Sequence, residues 1–302
     1  MRAFAHDRFT YPLPPGHRFP LEKYRLVRET VETLPGVDVE EAQPATATDL
    51  ARTHTTRWLD AARTGQLTRR EQLALGLPWS PELVERSRRA TGATIAAGRA
   101  ALAEGVAANL GGGTHHAFAD SGRGFCVFND VVTSLRTLRA EGRVRRVLVV
   151  DLDVHQGDGT HALLAADPDA FTFSLNGFRN YPFRRVPGDL EHDFPDGTGD
   201  DAYLATLAAL LPTAIGRARA ELAYVLAGAD PYVGDRLGRL ALSIDGLRAR
   251  DALVRDALRG AGVPVCLTLA GGYAEDVRDT AAINAGSVAV FAAGETQGAR
   301  RA

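Results

Sequence analysis

The chain has 302 residues, of which 45% are hydrophobic, so it can bury a large core in one domain or in two. No shift in composition along the chain favours two domains. The formal net charge of −2 at pH 7 gives no electrostatic reason to expect nucleic acid or an anionic membrane as a partner. The chain starts without a hydrophobic run, and no segment approaches the roughly 18 apolar residues of a membrane span. We therefore expect a cytoplasmic protein with no membrane partner.

Residues 1–22 are rich in proline and predict an irregular surface arm. A helix should follow from Leu21 to about Leu34. His6 and His17 lie in the arm, and we interpret each as a surface or turn histidine rather than a ligand.

Residues 35–80 are predicted to form short polar pieces. His54 and Trp58 are four positions apart, so they should share one helical face and pack inward. Ser80 before Pro81 is a helix-start signal, because a serine N-cap is followed by proline at the first helical position. This alanine-rich helix is predicted to run from Pro81 to about Leu110.

Three glycines, Gly111 to Gly113, end that helix and are followed by two adjacent histidines. Glycine lets the backbone adopt conformations closed to other residues. Adjacent side chains on extended backbone diverge, so His115 and His116 suit separate tasks at the edge of a site. The alternative is a surface loop with no chemical role.

Residues 122–130 (GRGFCVFND) lead into an amphipathic helix that ends near Ala140. Cys126 in this segment and Cys266 further along both lie in apolar surroundings. They indicate buried, reduced thiols rather than a disulfide framework.

The stretch Arg146–His161 (RVLVVDLDVHQGDGTH) begins as a strand buried on both faces and ends in ionisable residues. Those residues are Asp151, Asp153, His155 and Asp158. Such groups are costly at the end of a buried strand unless something binds there, and a divalent cation is the simplest candidate. A side-chain period of two lets one aspartate and the histidine share a metal. The alternative is a strand end with a few solvated acids.

Strands and helices alternate through the rest of the chain. The predicted elements are a strand at 170–177, a loop at 178–199, a helix at 200–222 kinked at Pro212, a strand at 222–230, a helix at 246–260, a strand at 264–273 and a helix at 274–293, with a frayed tail after Gly294. A loop as long as 178–199 is usually functional or mobile. The alternation predicts an α/β fold with a doubly wound, mainly parallel sheet flanked by helices and a site at the carboxyl ends of the strands.

Five motifs in order resemble the zinc-dependent histone deacetylase family, which has the arginase/deacetylase fold. They are GGGTHHA, GFCVFND, DLDVHQGDGT, GAD followed by GDRLG, and AGGY. The resemblance covers about residues 15–290 and implies a single catalytic domain over residues 1–302. The chain is most similar to the class IV branch and to bacterial histone deacetylase-like proteins, because Gln156 stands where many members have a second histidine.

The resemblance implies two cation sites. Asp153, His155 and Asp230 would be the ligands of a catalytic Zn²⁺, with Fe²⁺ also possible for this donor set. A structural monovalent cation, K⁺, would lie beneath it. Its site would be formed by Asp151, Asp153, His155, Ser174 and Leu175.

The resemblance also implies the residues that perform the reaction. His116 would be the general base, and His115 its electrostatic partner. Asp151 would orient His115, and Asp158 would orient His116, each by accepting the imidazole Nδ1 proton. Tyr273 would donate a hydrogen bond to the carbonyl oxygen and then to the tetrahedral oxyanion.

A narrow tunnel is implied for the substrate side chain. Gly124 and Phe125 would form one wall, and Tyr181 or Phe183 from the long loop would face them. The implied reaction is hydrolysis of an N-acyl amide, with acyl-lysine in a protein as the substrate. Acetylated polyamines and other small N-acyl amines are the alternatives. The oligomeric state and the acyl-chain length are left open.

Two departures from the family pattern bear on the substrate. AGGY stands in place of the more usual GGGY, and the chain has no clear equivalent of the surface acid with which many members grip a peptide backbone. A manganese ureohydrolase like arginase is a rival, but it needs further Asp and His ligands around a second metal. A non-catalytic acyl-lysine reader is another, although all the expected chemical residues are present.

Overall fold

Eight parallel strands form the sheet at the centre of the protein, whose computed structural model describes residues 1–293. The strands are β1 (Arg2–Ala5), β2 (Asp38–Glu41), β3 (Val106–Asn109), β4 (Val147–Asp151), β5 (Ala170–Gly177), β6 (Leu190–Phe194), β7 (Leu222–Leu226) and β8 (Val265–Thr268). Their spatial order is β2-β1-β3-β8-β7-β4-β5-β6, and every neighbouring pair is parallel. The predicted fold class is confirmed.

Helices cover both faces of the sheet. They are α1 (Glu22–Val31), α2 (Ala47–Ala51), α3 (Thr56–Thr64), α4 (Arg69–Leu75), α5 (Pro81–Glu104), α6 (Asp130–Ala140), α7 (Asp158–Leu164), α8 (Asp200–Ala218), α9 (Ile244–Gly260) and α10 (Val277–Ala292). One face packs against α1, α8, α9 and α10, and the other against α5, α6 and α7. The two layers are those of a doubly wound fold.

Strand β4 lies between β5 and β7 and is buried on both faces, as predicted. Val147 and Val149 contribute to the core under α5 and α6, whereas Leu148 and Val150 contribute to the core on the opposite face. Because all strands are parallel, their carboxyl ends lie along one edge. The loops that follow β3, β8, β7 and β4, which are neighbours in the sheet, therefore meet at that edge.

Helix α5 begins as predicted and ends earlier than predicted. The Ser80 hydroxyl accepts the Leu83 amide at 3.1 Å, and Pro81 occupies the first helical position. The helix stops at Glu104, and Gly105 follows with φ 93°. The next residues form β3, so the predicted continuation to Leu110 was wrong. The short sequence VAAN suits either a helix or a strand, and pairing with β1 and β8 decides between them.

Three further strands were missed because segments of four or five residues carry too little of an alternating pattern. Strand β1 lies in the predicted irregular arm, β2 lies among the predicted polar pieces, and β6 lies within the predicted loop 178–199. Strand β1 forms its backbone hydrogen bonds with β2 and β3, which are distant in sequence. Strand β6 pairs with β5, from which a loop separates it. Local propensity does not specify such pairing.

The two histidines of the arm have different surroundings. His6 is 4% exposed, so of the two predicted alternatives the surface is wrong and the turn is right: its carbonyl accepts the Phe9 amide at 3.2 Å, and its ring lies 6.0 Å from that of Tyr24. His17 lies in a turn, as predicted, and its backbone amide donates to Pro14.

The remaining elements agree with the predictions within a few residues. Strand β5 spans the predicted range, and α8 continues through Pro212 as one helix, so the predicted kink stays a prediction. Cys126 and Cys266 are buried free thiols, as predicted. The tail after Gly294 lies outside the described residues. Among residues 1–293, no helix is both long and apolar enough to cross a bilayer.

His54 and Trp58 both pack inward, as predicted, although His54 lies just before α3 rather than on it. Thr55 is the N-cap of α3, which places His54 outside the helix. One ring nitrogen of His54 lies 2.9 Å from the Phe118 carbonyl, and the other accepts the Asn129 amide at 3.0 Å. Neutral His54 thus connects two parts of the loop that follows His116.

We expect acid to destabilise the protein partly through His54. Burial lowers the pKa of His54 to about 4, below its ordinary value of 6.5. Below pH 6.5 the imidazole of the unfolded chain takes up a proton, whereas the buried ring of the folded protein does so only near pH 4. The free energy of unfolding therefore falls as the pH is lowered from 6.5 towards 4. The expected loss is about 3 kcal/mol over this window. Urea unfolding from pH 7 to pH 4 measures it, and His54→Gln should flatten the slope. An unchanged slope in the variant would contradict the assignment.

Candidate active site

Asp153, His155 and Asp230 converge at the carboxyl edge of β4 and β7. Their potential ligand atoms all lie within 4.8 Å of one another. His155 Nδ1 is 2.9 Å from Asp153 Oδ1 and 3.2 Å from Asp230 Oδ2. Asp153 and Asp230 are 1% and 0% exposed. Two carboxylates and one imidazole in this arrangement leave coordination positions open, which is typical of a catalytic rather than a structural metal site.

The surroundings of the cluster suit a divalent cation. Among residues 1–293, neither Asp153 nor Asp230 forms an ion pair with lysine or arginine. Burial, and next the charge of Asp153, raises the pKa of Asp230 to about 7. The Val154 amide donates to Asp230 at 2.9 Å and the Gly271 amide donates to Asp153 at 2.8 Å, which fixes both carboxylates. Two buried carboxylates that lack a lysine or arginine partner could hold a divalent metal.

The glycine run after β3 delivers the two histidines beside this cluster. Gly112 and Gly113 have φ of 72° and 68°, which disfavours other residues. His115 Nδ1 lies 2.7 Å from Asp151 Oδ2, and His116 Nδ1 lies 2.7 Å from a carboxylate oxygen of Asp158. Each histidine therefore pairs with a different aspartate, and the two rings lie 4.2 Å apart.

The two imidazoles have opposite electrostatic environments. Burial lowers the pKa of His115, but the carboxylates of Asp151 and Asp153 outweigh burial and raise it to about 9. Burial, and next the charge of His115, lowers the pKa of His116 to about 4. The two shifts have opposite directions: they favour the protonated ring at His115 and the neutral ring at His116.

Tyr273 reaches the site on the loop after β8. A Cβ atom at Gly271 would lie 2.1 Å from Asp230 Oδ2, so this close approach of backbone to carboxylate requires glycine. Ala270, the first residue of AGGY, adopts φ 45°. Asp235 accepts the Tyr273 amide at 2.5 Å and the amides of Leu237 and Gly238 at 2.8 Å, which ties the GDRLG segment to the tyrosine loop.

Lys23, the only lysine of the chain, lies buried beneath the same loop. Its ammonium group donates to the carbonyls of Ala270 at 3.2 Å and Gly272 at 3.5 Å. It also lies 5.5 Å from the ring centroid of Tyr273, within the range of a cation–π interaction. The ammonium group therefore fixes the backbone on both sides of Gly271.

For the metal-dependent activity that the resemblance implies, Lys23→Met should lower turnover about tenfold while the metal content stays unchanged. Methionine keeps the bulk of the side chain but removes both donors, so the tyrosine loop can shift, and shifts near 1 Å are costly in catalysis. The measurement compares kcat with the metal content. Arg25→Met, at an exposed position of the same helix, is the control. Equal kcat values for the two variants would show that Lys23 does not position the loop.

A cavity of about 580 Å³ opens above these residues. Gly124, Phe125, Tyr181 and Phe183, which the family resemblance implies as tunnel walls or candidates for them, all line it. The Tyr181 ring lies 4.9 Å from the His116 ring, whereas Phe183 is 88% exposed. The Phe125 ring lies 5.9 Å from the Tyr273 ring. The geometry thus separates the two loop aromatics: Tyr181 lies beside the histidines, and Phe183 lies at the mouth.

Gln156 directly follows His155 in sequence, but its side chain points away from Asp153, His155 and Asp230. Its side chain donates to the Val186 carbonyl at 3.1 Å and accepts the Val186 amide at 3.1 Å, so it holds the long loop. Ser174 lies beside Asp151 in the register of β4 and β5, and Leu175 follows it. Both are fully buried, and they are residues for which the family resemblance implies a monovalent-cation site.

Sequence reasoning missed three residues that support the site. Lys23 and Asp235 hold the tyrosine loop, and Asp130 accepts the amides of Gly113 at 3.0 Å and Thr114 at 2.8 Å. Asp130 and Asp235 could have been found from the sequence, because Asp130 ends the GFCVFND motif and Asp235 lies in GDRLG. The signal for Lys23 was that it is the chain's single lysine.

Comparison with known proteins identifies the family. A model of the histone deacetylase domain matches residues 17–288. An uncharacterized protein of Picosynechococcus sp. is 39% identical over 277 residues, which are 91% of this chain and 92% of that protein. The histone deacetylase-like amidohydrolase of Pseudomonas aeruginosa is 30% identical over 287 residues, which cover 87% of this chain and 74% of that protein.

A solved structure supports the fold. A histone deacetylase (HDAC) homologue complexed with SAHA matches with a TM-score of 0.82 and 24% identity, covering 97% of this chain and 83% of that one. The family match and the relatives imply a hydrolase that acts on amides. The chain belongs to the histone deacetylase family.

Proposed function

We propose that the protein is a zinc-dependent amidohydrolase that removes an acyl group from a lysine side chain or from a small N-acyl amine. One observation carries the proposal: Asp153, His155 and Asp230 meet at the floor of a cavity that His116 and Tyr273 also line. The single three-ligand cluster found within residues 1–293 favours one metal over the two of an arginase-like enzyme.

Asp153, His155 and Asp230 would hold the metal, Zn²⁺ or alternatively Fe²⁺. When bound, the metal would polarise the acyl carbonyl and lower the pKa of a water. The two backbone amides that bind the carboxylates would keep both aspartates in place for it.

His116 would act as the general base. Its pKa of about 4 keeps it neutral, and the bond to Asp158 leaves Nε2 free to accept a proton from the attacking water. The same nitrogen then gives the proton to the leaving amine. His115, protonated and held by Asp151, would stabilise the negative charge that develops on the acyl oxygen.

Tyr273 would donate a hydrogen bond to the acyl oxygen. Burial raises the pKa of its phenol well above 10, so the hydroxyl remains a donor at every physiological pH. Phe125 and Tyr181 would enclose the acyl chain and its methylene stem, and Gly124 would let the stem pass close to His116. A Cβ atom at position 124 would lie 2.6 Å from the His116 ring.

A potassium ion beneath the metal would complete the site. Asp151, Asp153, His155, Ser174 and Leu175 surround the proposed position, and all but His155 are nearly or fully buried. A monovalent cation there would offset part of the charge of Asp151 and Asp153. We further propose a cytoplasmic protein whose partners are its acylated substrates, with neither nucleic acid nor membrane among them.

Hydrolysis of an acyl-chain series tests the proposal. Purified zinc-loaded protein is incubated with lysine peptides that carry acetyl to long-chain acyl groups and with small N-acetyl amines. We expect release of the free acid from at least one series, with the rate set by acyl length. Binding without release would identify a non-catalytic reader and overturn the proposal.

A further inference from the structure

The mouth of the active-site cavity is lined with arginine. Among the described lining residues, the acids are Asp153 and Asp230 at the floor. The cations at the mouth are Arg18, Arg179, Arg236 and Arg239. Asp196 lies 3.7 Å from Arg179 and 3.4 Å from Arg239, so one exposed carboxylate faces two guanidinium groups.

A second depression continues the cationic surface beside the mouth. It has a volume of about 830 Å³ and shares Leu73, Ala74 and Tyr181 with the cavity. Its lining contains Arg57, Arg70, Arg123 and Arg184 against the acids Glu71 and Asp120. Arginines therefore outnumber acidic residues both at the mouth of the cavity and in the second depression, which meet at Tyr181.

Several of these arginines lack a counterion. In the part of the chain that the structure describes, the guanidinium groups of Arg18, Arg70 and Arg184 donate no hydrogen bond and form no ion pair. Several exposed arginines away from the mouth pair with a carboxylate. Examples are Arg25 with Glu29, Arg145 with Asp169 and Arg248 with Asp245. The formal net charge of the chain is −2, so the excess is local.

We propose that the acylated amine carries carboxylate groups beside the amide. This inference rests on the proposed function and names its substrate class. Guanidinium groups bind carboxylates through two parallel hydrogen bonds and attract them from a distance. The carboxylates come either from acidic residues that flank an acyl-lysine or from the free α-carboxylate of an N-acyl amino acid. Cationic acetylpolyamines are repelled by the same mouth.

Three matched peptides test the inference. Each carries one acyl-lysine, flanked by aspartate, alanine or arginine, and the measurement is kcat/KM at low and high ionic strength. We expect the acidic peptide to exceed the basic peptide by about tenfold at low salt, with the ratio falling at high salt because exposed charges are screened. A second comparison identifies the source of the carboxylate. If free acyl-lysine has a higher kcat/KM than acyl-lysine whose α-carboxylate is replaced by a carboxamide, the α-carboxylate is recognised; if the two are equal, flanking acidic residues supply the carboxylate.

Single variants locate the effect. Arg18→Gln and Arg184→Gln should each reduce the acid-to-base ratio about threefold, as expected for one exposed charge pair. Arg145→Gln, at an exposed site preceding β4 on the opposite edge of the sheet, should leave the ratio unchanged.

The outcomes separate this inference from the proposed function. Equal kcat/KM for the three peptides would overturn the inference and leave the hydrolase intact. If no peptide is hydrolysed, fluorescence anisotropy of the labelled peptides on zinc-loaded protein decides: tighter binding of the acidic peptide supports the inference without the activity, and equal binding removes it. Stronger inhibition by a single-stranded oligonucleotide than by polyglutamate would assign the arginines to nucleic acid and also overturn it.

Discussion

Asp230→Ala should leave the purified protein without stoichiometric zinc and without hydrolase activity. In the proposed site Asp230 is one of three ligands, and its carboxylate lies 3.2 Å from the His155 ring nitrogen. Loss of an outer partner of a metal ligand costs about 10- to 100-fold in affinity, and loss of a ligand costs more. Metal analysis after dialysis against a defined zinc buffer gives the stoichiometry, and a steady-state assay gives the rate.

Two further variants make this result interpretable. Asp230→Asn keeps the shape and the hydrogen bond from the Val154 amide, so it should fold normally and still bind zinc poorly. Asp245→Ala, whose carboxylate is 88% exposed on α9, should bind one zinc as the unaltered protein does. Retention of one zinc per chain in Asp230→Ala would mean that the third ligand lies elsewhere.

Tyr273→Phe should lower kcat by on the order of 100-fold or more with zinc content unchanged. The substitution removes one hydroxyl, and the loss of one donor to a developing oxyanion has this size in other hydrolases. The ring remains between Phe125 and Lys23, so the loop should keep its position. Because the hydrogen bond strengthens as negative charge develops on the acyl oxygen, kcat should fall more than KM rises.

Tyr232→Phe is the matched control for this variant. Its hydroxyl lies on the same side of the sheet and donates to Asp279 at 3.3 Å, outside the cavity. The control should retain the full rate. If Tyr273→Phe also retained it, Tyr273 would have no part in the reaction, and the oxyanion would depend on His115 and the metal.

The sequence predicted the parts of the fold whose pattern is local. Strand β4 is recognisable because four aliphatic residues precede the acids, and α5 begins where Ser80 and Pro81 require it. Strands β1 and β6 were missed, because their partners are specified by tertiary pairing rather than by their own residues. The misassigned end of α5 has the same cause.

The residues of the candidate site that could be predicted are those whose chemical task restricts the residue type, such as binding a metal or transferring a proton. The metal ligands and the histidine pair come from motifs whose chemistry limits the choice of residue, and the structure brings them together. The role of Lys23 could not be predicted, because it depends on the carbonyls of Ala270 and Gly272, which lie 247 and 249 residues further along the chain. Tyr181 and Phe183 could not be separated either, because only the path of the loop decides which ring faces His116.

A zinc titration of metal-free protein tests the central claim most directly. The claim is that Asp153, His155 and Asp230 bind one cation on which hydrolysis depends. Acid release from an acyl-lysine peptide should rise linearly with added zinc and level off at one equivalent per chain. Full activity in the metal-free protein, or a rise that continues to two equivalents, would contradict the claim.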